Sequence, residues 1–152
     1  MDINAFFTEL EKLLKEEGLE TYLMPGTEVQ IGNTLRAMVP VTEAGNAVLL
    51  EVMAVPLTED AHLLQIYSTI IAEISSGYDL LKEAVLDWNL TCPLGAFGIY
   101  KPLKQLYHKY NYLMTVEVPP DEMADEIFYI IDLLRDVIAQ VLPDAVRLSG
   151  NL

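Results

Sequence analysis

The sequence predicts an α+β domain in which helices pack on an antiparallel sheet. Three observations carry this. Apolar stripes of helical period stand at the two ends of the chain. Runs of β-prone residues with period-two alternation lie between them. The short turn Glu43-Ala44-Gly45-Asn46 joins two of those runs as a hairpin does, and hairpins pair strands antiparallel. At 152 residues the chain is one domain, 1–152, large enough to bury a core without staples.

The first helix is predicted over residues 2 to 17. Ile3, Phe6, Phe7, Leu10, Leu13 and Leu14 recur at spacings of three and four, and Glu9, Glu11, Lys12, Lys15 and Glu16 take the other face. Asp2 is placed to cap the helix, and Gly18 to end it in a left-handed conformation. Residues 19 to 33, with Pro25, Gly26, Gly32 and Asn33, read as a connection holding one short extended piece around Val29 to Ile31. Strands follow over Thr34 to Val41 and Ala47 to Pro56. The stretch from 61 to 74 has the length of a helix, but its β-branched content and alternation (Leu64, Ile66, Ile70, Ala72, Ile74 against Gln65, Tyr67, Thr69, Glu73) predict a third strand. Residues 78 to 89 form a helix with Leu80, Leu81, Ala84, Val85 and Trp88 apolar, closed by Pro93 and Gly95. Ala96 to Tyr100 is a short strand. Leu103 to Val118 is a long one, half-buried, with Tyr107 on its wetter face. A last helix runs from about 120 to 142 and is stopped by Pro143. The predicted order is α-β-β-β-α-β-β-α.

Composition bounds the function. With 52% hydrophobic and 21% charged residues the chain is globular rather than disordered. Its mean hydropathy of +0.28 is high. That excess belongs either to a subunit or partner interface or to a sheet buried on both faces. No apolar run reaches the roughly 18 residues a membrane helix needs. The net charge of −14, from 23 acids against 9 bases, speaks against nucleic acid and anionic membranes. Both need a basic face, and Lys101, Lys104 and Lys109 with His108 are too thin a cluster. The acidity keeps an apolar protein dissolved and also steers a basic partner. Cys92 is the single cysteine, so no intrachain disulfide forms. The first ten residues have no basic region before an apolar one, which predicts a cytoplasmic chain.

The chain carries no motif from which a reaction can be read. His62, Cys92 and His108 lie far apart in sequence, without the spacing of a metal site, and nothing calls for a cofactor. Cys92 precedes Pro93 at a helix end rather than at a helix start, where a reactive thiol is commonly found. Gly95-Ala96-Phe97-Gly98 is too short for a dinucleotide fingerprint. Glu51, Glu73 and Glu117 stand in predicted strands, and the acids of 121 to 126 crowd the start of the last helix, where the first of them suit its dipole. These observations predict a protein that is not an enzyme.

The run Leu80-Leu81-x3-Val85-x2-Trp88-Asn89-x3-Pro93-Leu94-Gly95-Ala96-Phe97, set in that order of elements, resembles the YbjN-like family. That family is similar in fold to the class I type III secretion chaperones. The resemblance implies a type III secretion chaperone-like α+β domain that pairs through its central helix and neighbouring strands. It also implies non-enzymatic binding of a partner's extended segment, and it brings no catalytic residues.

The expected function is therefore a protein-binding module, chaperone-like or regulatory. Phe6, Phe7 and Leu10 of the first helix and Tyr107 of the long strand are the candidate partner contacts. Leu81, Val85 and Trp88 are the candidate homodimer contacts. The alternatives are a small-molecule binder or enzyme with His108 or Glu117 at a pocket mouth, and a homodimeric structural subunit with no transient partner.

Overall fold

The computed structural model describes residues 1–26, 32–43 and 45–150. The chain runs α1 (Ile3–Glu16), β1 (Thr21–Met24), β2 (Thr34–Pro40), β3 (Ala47–Thr58), β4 (Ala61–Ile71), α2 (Tyr78–Thr91), β5 (Ala96–Tyr100), β6 (Gln105–Thr115) and α3 (Pro120–Ser149). The strands form one antiparallel sheet in the order β1-β2-β3-β4-β6-β5. The α+β class and the antiparallel sheet are as the sequence predicts. The strand reading of residues 61 to 71 holds, and β4 stands in the middle of the sheet between β3 and β6.

Four details differ. The connection after α1 contains a strand, β1, so the order is α-β-β-β-β-α-β-β-α. Four residues before Pro25-Gly26 are too short to announce a strand by periodicity; pairing with β2, Tyr22 opposite Arg36, makes them one. The extended piece expected around Val29 to Ile31 lies outside the described residues. β4 stops at Ile71 after a bulge, and Ile74 is held separately by its N–H donating to the Lys104 carbonyl at 2.8 Å. The long strand begins at Gln105, because a 3-10 turn over Lys101–Leu103 closes a hairpin with β5. Lastly, α3 passes through Pro143 to Ser149. Pro143 sits on the exposed side, while Val141, Leu142 and Ala145 on either side of it are buried. Packing of those three outweighs the hydrogen bond that proline removes.

The core lies between one face of the sheet and the helices. Leu35, Ala37 and Val39, then Val48, Leu50 and Val52, then Leu64 and Ile66, and Leu106, Met114 and Phe97 point inward. They meet Phe6, Phe7, Leu10 and Leu14 of α1, Leu81 and Val85 of α2, and the stripe from Met123 to Ala145 on α3. Helix α1 is capped as expected, with Asp2 Oδ1 accepting from the Ala5 N–H at 3.1 Å, and Gly18 following at φ +81°. Gly77, at φ +73°, opens α2 where a Cβ would stand 1.9 Å from the Leu148 carbonyl oxygen. Ser76 Oγ donates to the Ser149 carbonyl at the same junction. The start of α2 is thereby tied to the end of α3.

Candidate partner-binding surface

Helix α2 and β5 are joined by a turn whose side chains lock to one another. Asn89 spans it with two hydrogen bonds: its Nδ2 donates to the Phe97 carbonyl at 2.9 Å, and its Oδ1 accepts from the Phe97 N–H at 2.8 Å. A strand neighbour would make the same pair of bonds. Trp88 packs edge-on against Phe97 at 5.5 Å, and Phe97 edge-on against His108 at 4.9 Å. His108 is fully buried, and its Nε2 lies 2.7 Å from the Leu94 carbonyl. A carbonyl only accepts, so Nε2 carries a proton. Burial holds its pKa below the usual histidine value, offset in part by the bond to Leu94. Gly95, at φ +69°, is needed beneath the turn, since a Cβ there would meet the Lys109 carbonyl oxygen at 2.3 Å. The run Trp88-Asn89 through Phe97 is thus a physical unit that fixes the edge of the sheet.

The same turn brings Cys92 and His108 together. The fold brings Sγ to 3.9 Å from Nε2. The thiol donates to the Leu94 carbonyl at 3.2 Å, and the ring presents it with an N–H rather than a lone pair. Nucleophilic catalysis needs a base facing the thiol, and His108 turns a donor toward it. The other ring nitrogen, His108 Nδ1, is buried without a hydrogen-bond partner among the described residues, as is Ser68 Oγ opposite it on β4. Buried as it is, His108 does not stand at a pocket mouth, which corrects that expectation, whereas Glu117 is exposed. Among the described residues no group of three His, Cys, Asp or Glu side chains is placed to hold a metal ion. No described helix is long and apolar enough to cross a membrane.

The residues expected to contact partners are distributed differently from their expected roles. Phe6, Phe7 and Leu10 are 0% exposed and form the centre of the core. They are not surface contacts, because the stripe of α1 is used up against the sheet and α3. Leu81 and Val85 are likewise buried, and Trp88 is half-buried against Phe97. What α2 turns outward is a second apolar set, Leu80, Leu86 and Leu90, with Leu90 at 82% exposure. A shallow hollow of about 250 Å³ lies between α2 and β5, lined by Lys82, Glu83, Val85, Leu86 and Ile99.

Tyr107 stands where the sequence places it, on the face of the sheet opposite the core. Among the described residues no helix packs on that face. The register sets Met38, Leu49, Thr69, Tyr107 and Gly98 in one row across five strands, and Tyr22, Arg36, Glu51, Tyr67, Lys109 and Ala96 in the next. Arg36 and Glu51 pair at 3.0 Å. Tyr67 and Tyr107 stack at 4.9 Å and 23°. Burial, then the neighbouring Tyr107, Glu51 and Tyr100, push the Tyr67 phenol up to about 12, so it remains a neutral donor, to Gln105. Tyr22, Met38, Val55 and Leu113 are all exposed on this face.

The chain matches no family model and no curated protein.

Proposed function

We propose that this protein is a non-enzymatic binding module of the cytoplasm that holds an extended segment of a partner protein on the open face of its sheet. The observation that carries this is the open face itself: six strands wide, with Tyr22, Met38, Val55 and Leu113 exposed on it between polar residues, and among the described residues helices only behind it. Exposed apolar side chains gathered on one face and bordered by polar ones suit an interaction site. The resemblance to the YbjN-like and secretion-chaperone folds agrees with this reading, as does the commitment of Cys92 and His108 to one backbone carbonyl. Strand addition at β5 is disfavoured. Asn89 already occupies the outward groups of Phe97, and Ile99 is the one further position of that parity before the strand ends. In this reading the partner lies across the face with its side chains down.

The protein acts as a homodimer in this reading, through the outer stripe of α2 rather than through Leu81 and Val85. Leu86 and Leu90, one turn apart and exposed, are the contacts. The test uses affinity capture alongside sedimentation. A partner retained by the wild type and lost by Met38→Asp/Leu113→Asp, with the urea midpoint unchanged, supports the face. Capture undiminished in that folded variant overturns it. A monomeric mass for the wild type at micromolar concentration overturns the dimer, whereas a dimer split by Leu86→Asp/Leu90→Asp supports it.

A further inference from the structure

The carboxylates of this chain are not spread evenly. Between Asp87 and Glu117 there is no acid at all, and the stretch holds Lys101, Lys104 and Lys109; the remainder carries all 23 acids against six bases. Topology turns this stretch into a surface. It contains β5 and β6, which are neighbours at one margin of the sheet, and the turn that links them. Four of the six bases elsewhere are ion-paired, Lys15, Arg36, Arg135 and Arg147. Among the described residues none of the three lysines here has a carboxylate partner.

Aromatic rings lie beside these lysines on the open face. Gly98 is opposite Tyr107, and a Cβ on it would stand 2.5 Å from the Tyr107 Oη, so the missing side chain lets the ring lie across β5. Tyr67 stacks on Tyr107 from the other side, and Lys109 is the cross-strand partner of Tyr67. Tyr100 and Leu103, 49% and 58% exposed, continue the apolar surface into the turn beside Lys101 and Lys104.

We propose that this margin of the open face docks an acidic segment of the partner, with its apolar side chains on the tyrosine ledge and its carboxylates on Lys101, Lys104 and Lys109. The inference rests on the reading of the open face as a partner surface and names the chemistry that surface selects. Three cations with no ion-pair partner among the described residues, on a stretch of chain that itself carries no acid, are complementary to a peptide with a few carboxylates. Salt confines the field of acids elsewhere on the chain to about 8 Å at physiological ionic strength; the acids that reach this margin are Glu73, next to Ile74 at the Lys104 carbonyl, and Glu51, which is paired with Arg36. A polyanion is a poorer match, because three lysines neutralise few phosphates and so release few counterions.

Fluorescence anisotropy with the full chain tests this. The probe is a fluorescein-labelled peptide of about 12 residues in which Leu and Phe alternate with Glu. Sister peptides replace Glu by Ser or Lys, and an oligothymidine of about 12 nucleotides is the polyanion. The acidic peptide is expected to bind tightest, to weaken as salt is raised, and to lose about tenfold in affinity in Lys101→Glu/Lys104→Glu/Lys109→Glu. Tyr107→Ala is expected to weaken the Glu and Ser peptides alike. Equal or tighter binding of the Ser or Lys peptide, abolished by Met38→Asp/Leu113→Asp, keeps the open face and overturns its acidic preference. Tighter binding of the oligothymidine overturns the assignment to a peptide. No binding of any probe, in a protein with an unchanged urea midpoint, overturns both the preference and the face.

Discussion

Asn89→Ala is the most direct probe of how the sheet margin is built. The amide of Asn89 makes two bonds to Phe97, at 2.9 and 2.8 Å, and both face away from β6. Each is worth about 1 kcal/mol net, and more where the group left behind is shielded from water. Phe97 is 4% exposed, so water reaches its backbone poorly. The two losses together come to about 2 kcal/mol. For a domain of this size that is a fall in Tm of roughly 4–8 °C, or about 1 M in urea midpoint at an m-value near 2 kcal/mol/M. Hydrogen exchange supplies the site-specific readout, since the Phe97 amide loses its acceptor and exchanges faster while the amides of β3 and β4 follow global unfolding. Asn89→Asp sharpens the argument. It retains an acceptor for the Phe97 N–H but sets a carboxylate oxygen against the Phe97 carbonyl, so it is expected to recover little. A loss below about 0.5 kcal/mol in Asn89→Ala, with Phe97 exchange unchanged, refutes the claim that this side chain closes the edge.

Two other outcomes follow from the same turn. His108 has a folded pKa below its unfolded value of about 6.5, so the folded state resists protonation. Its stabilising effect is complete above pH 6.5 and is lost as pH falls from there through the folded pKa, with a limiting slope of about 1.4 kcal/mol per pH unit. His108→Gln keeps a donor toward the Leu94 carbonyl and does not titrate, so urea titrations of the two proteins between pH 7 and 5 are expected to diverge, the wild type losing more; parallel curves contradict the assignment. Gly95→Ala forces a side chain into a left-handed residue, costing about 1–2 kcal/mol before the 2.3 Å approach to the Lys109 carbonyl is relieved. A urea midpoint equal to that of the wild type shows that the turn is not held as described.

The sequence by itself determined the class of this protein. Alternation is a local property, so β2, β3, β5 and β6 were legible, as was the side of β6 that Tyr107 occupies. Helical stripes are local too, and the cap at Asp2 with the break at Gly18 bounded α1 correctly. Which apolar stripe is covered is not local. Phe6, Phe7 and Leu10 have the same spacing whether they fill a core or wait for a partner, and only the packing of α1 against α3 and the sheet put them inside. The same holds for α2, where Leu81 and Val85 turned inward and Leu86 and Leu90 outward. Its apolar residues occupy both faces, so periodicity assigned no direction. Leu49 and Met53 blurred the alternation of β3, because the outer face of the sheet is itself apolar and its openness is a fact about where helices were not placed. The extension of α3 past Pro143 was decided by burial on either side of the proline, and β1 by a strand it had to meet. The latch of Asn89, Leu94, Phe97 and His108 joins residues up to 19 positions apart through a hairpin. Its members were visible in the sequence as a run, but the bonds that explain the run exist only once β5 and β6 pair.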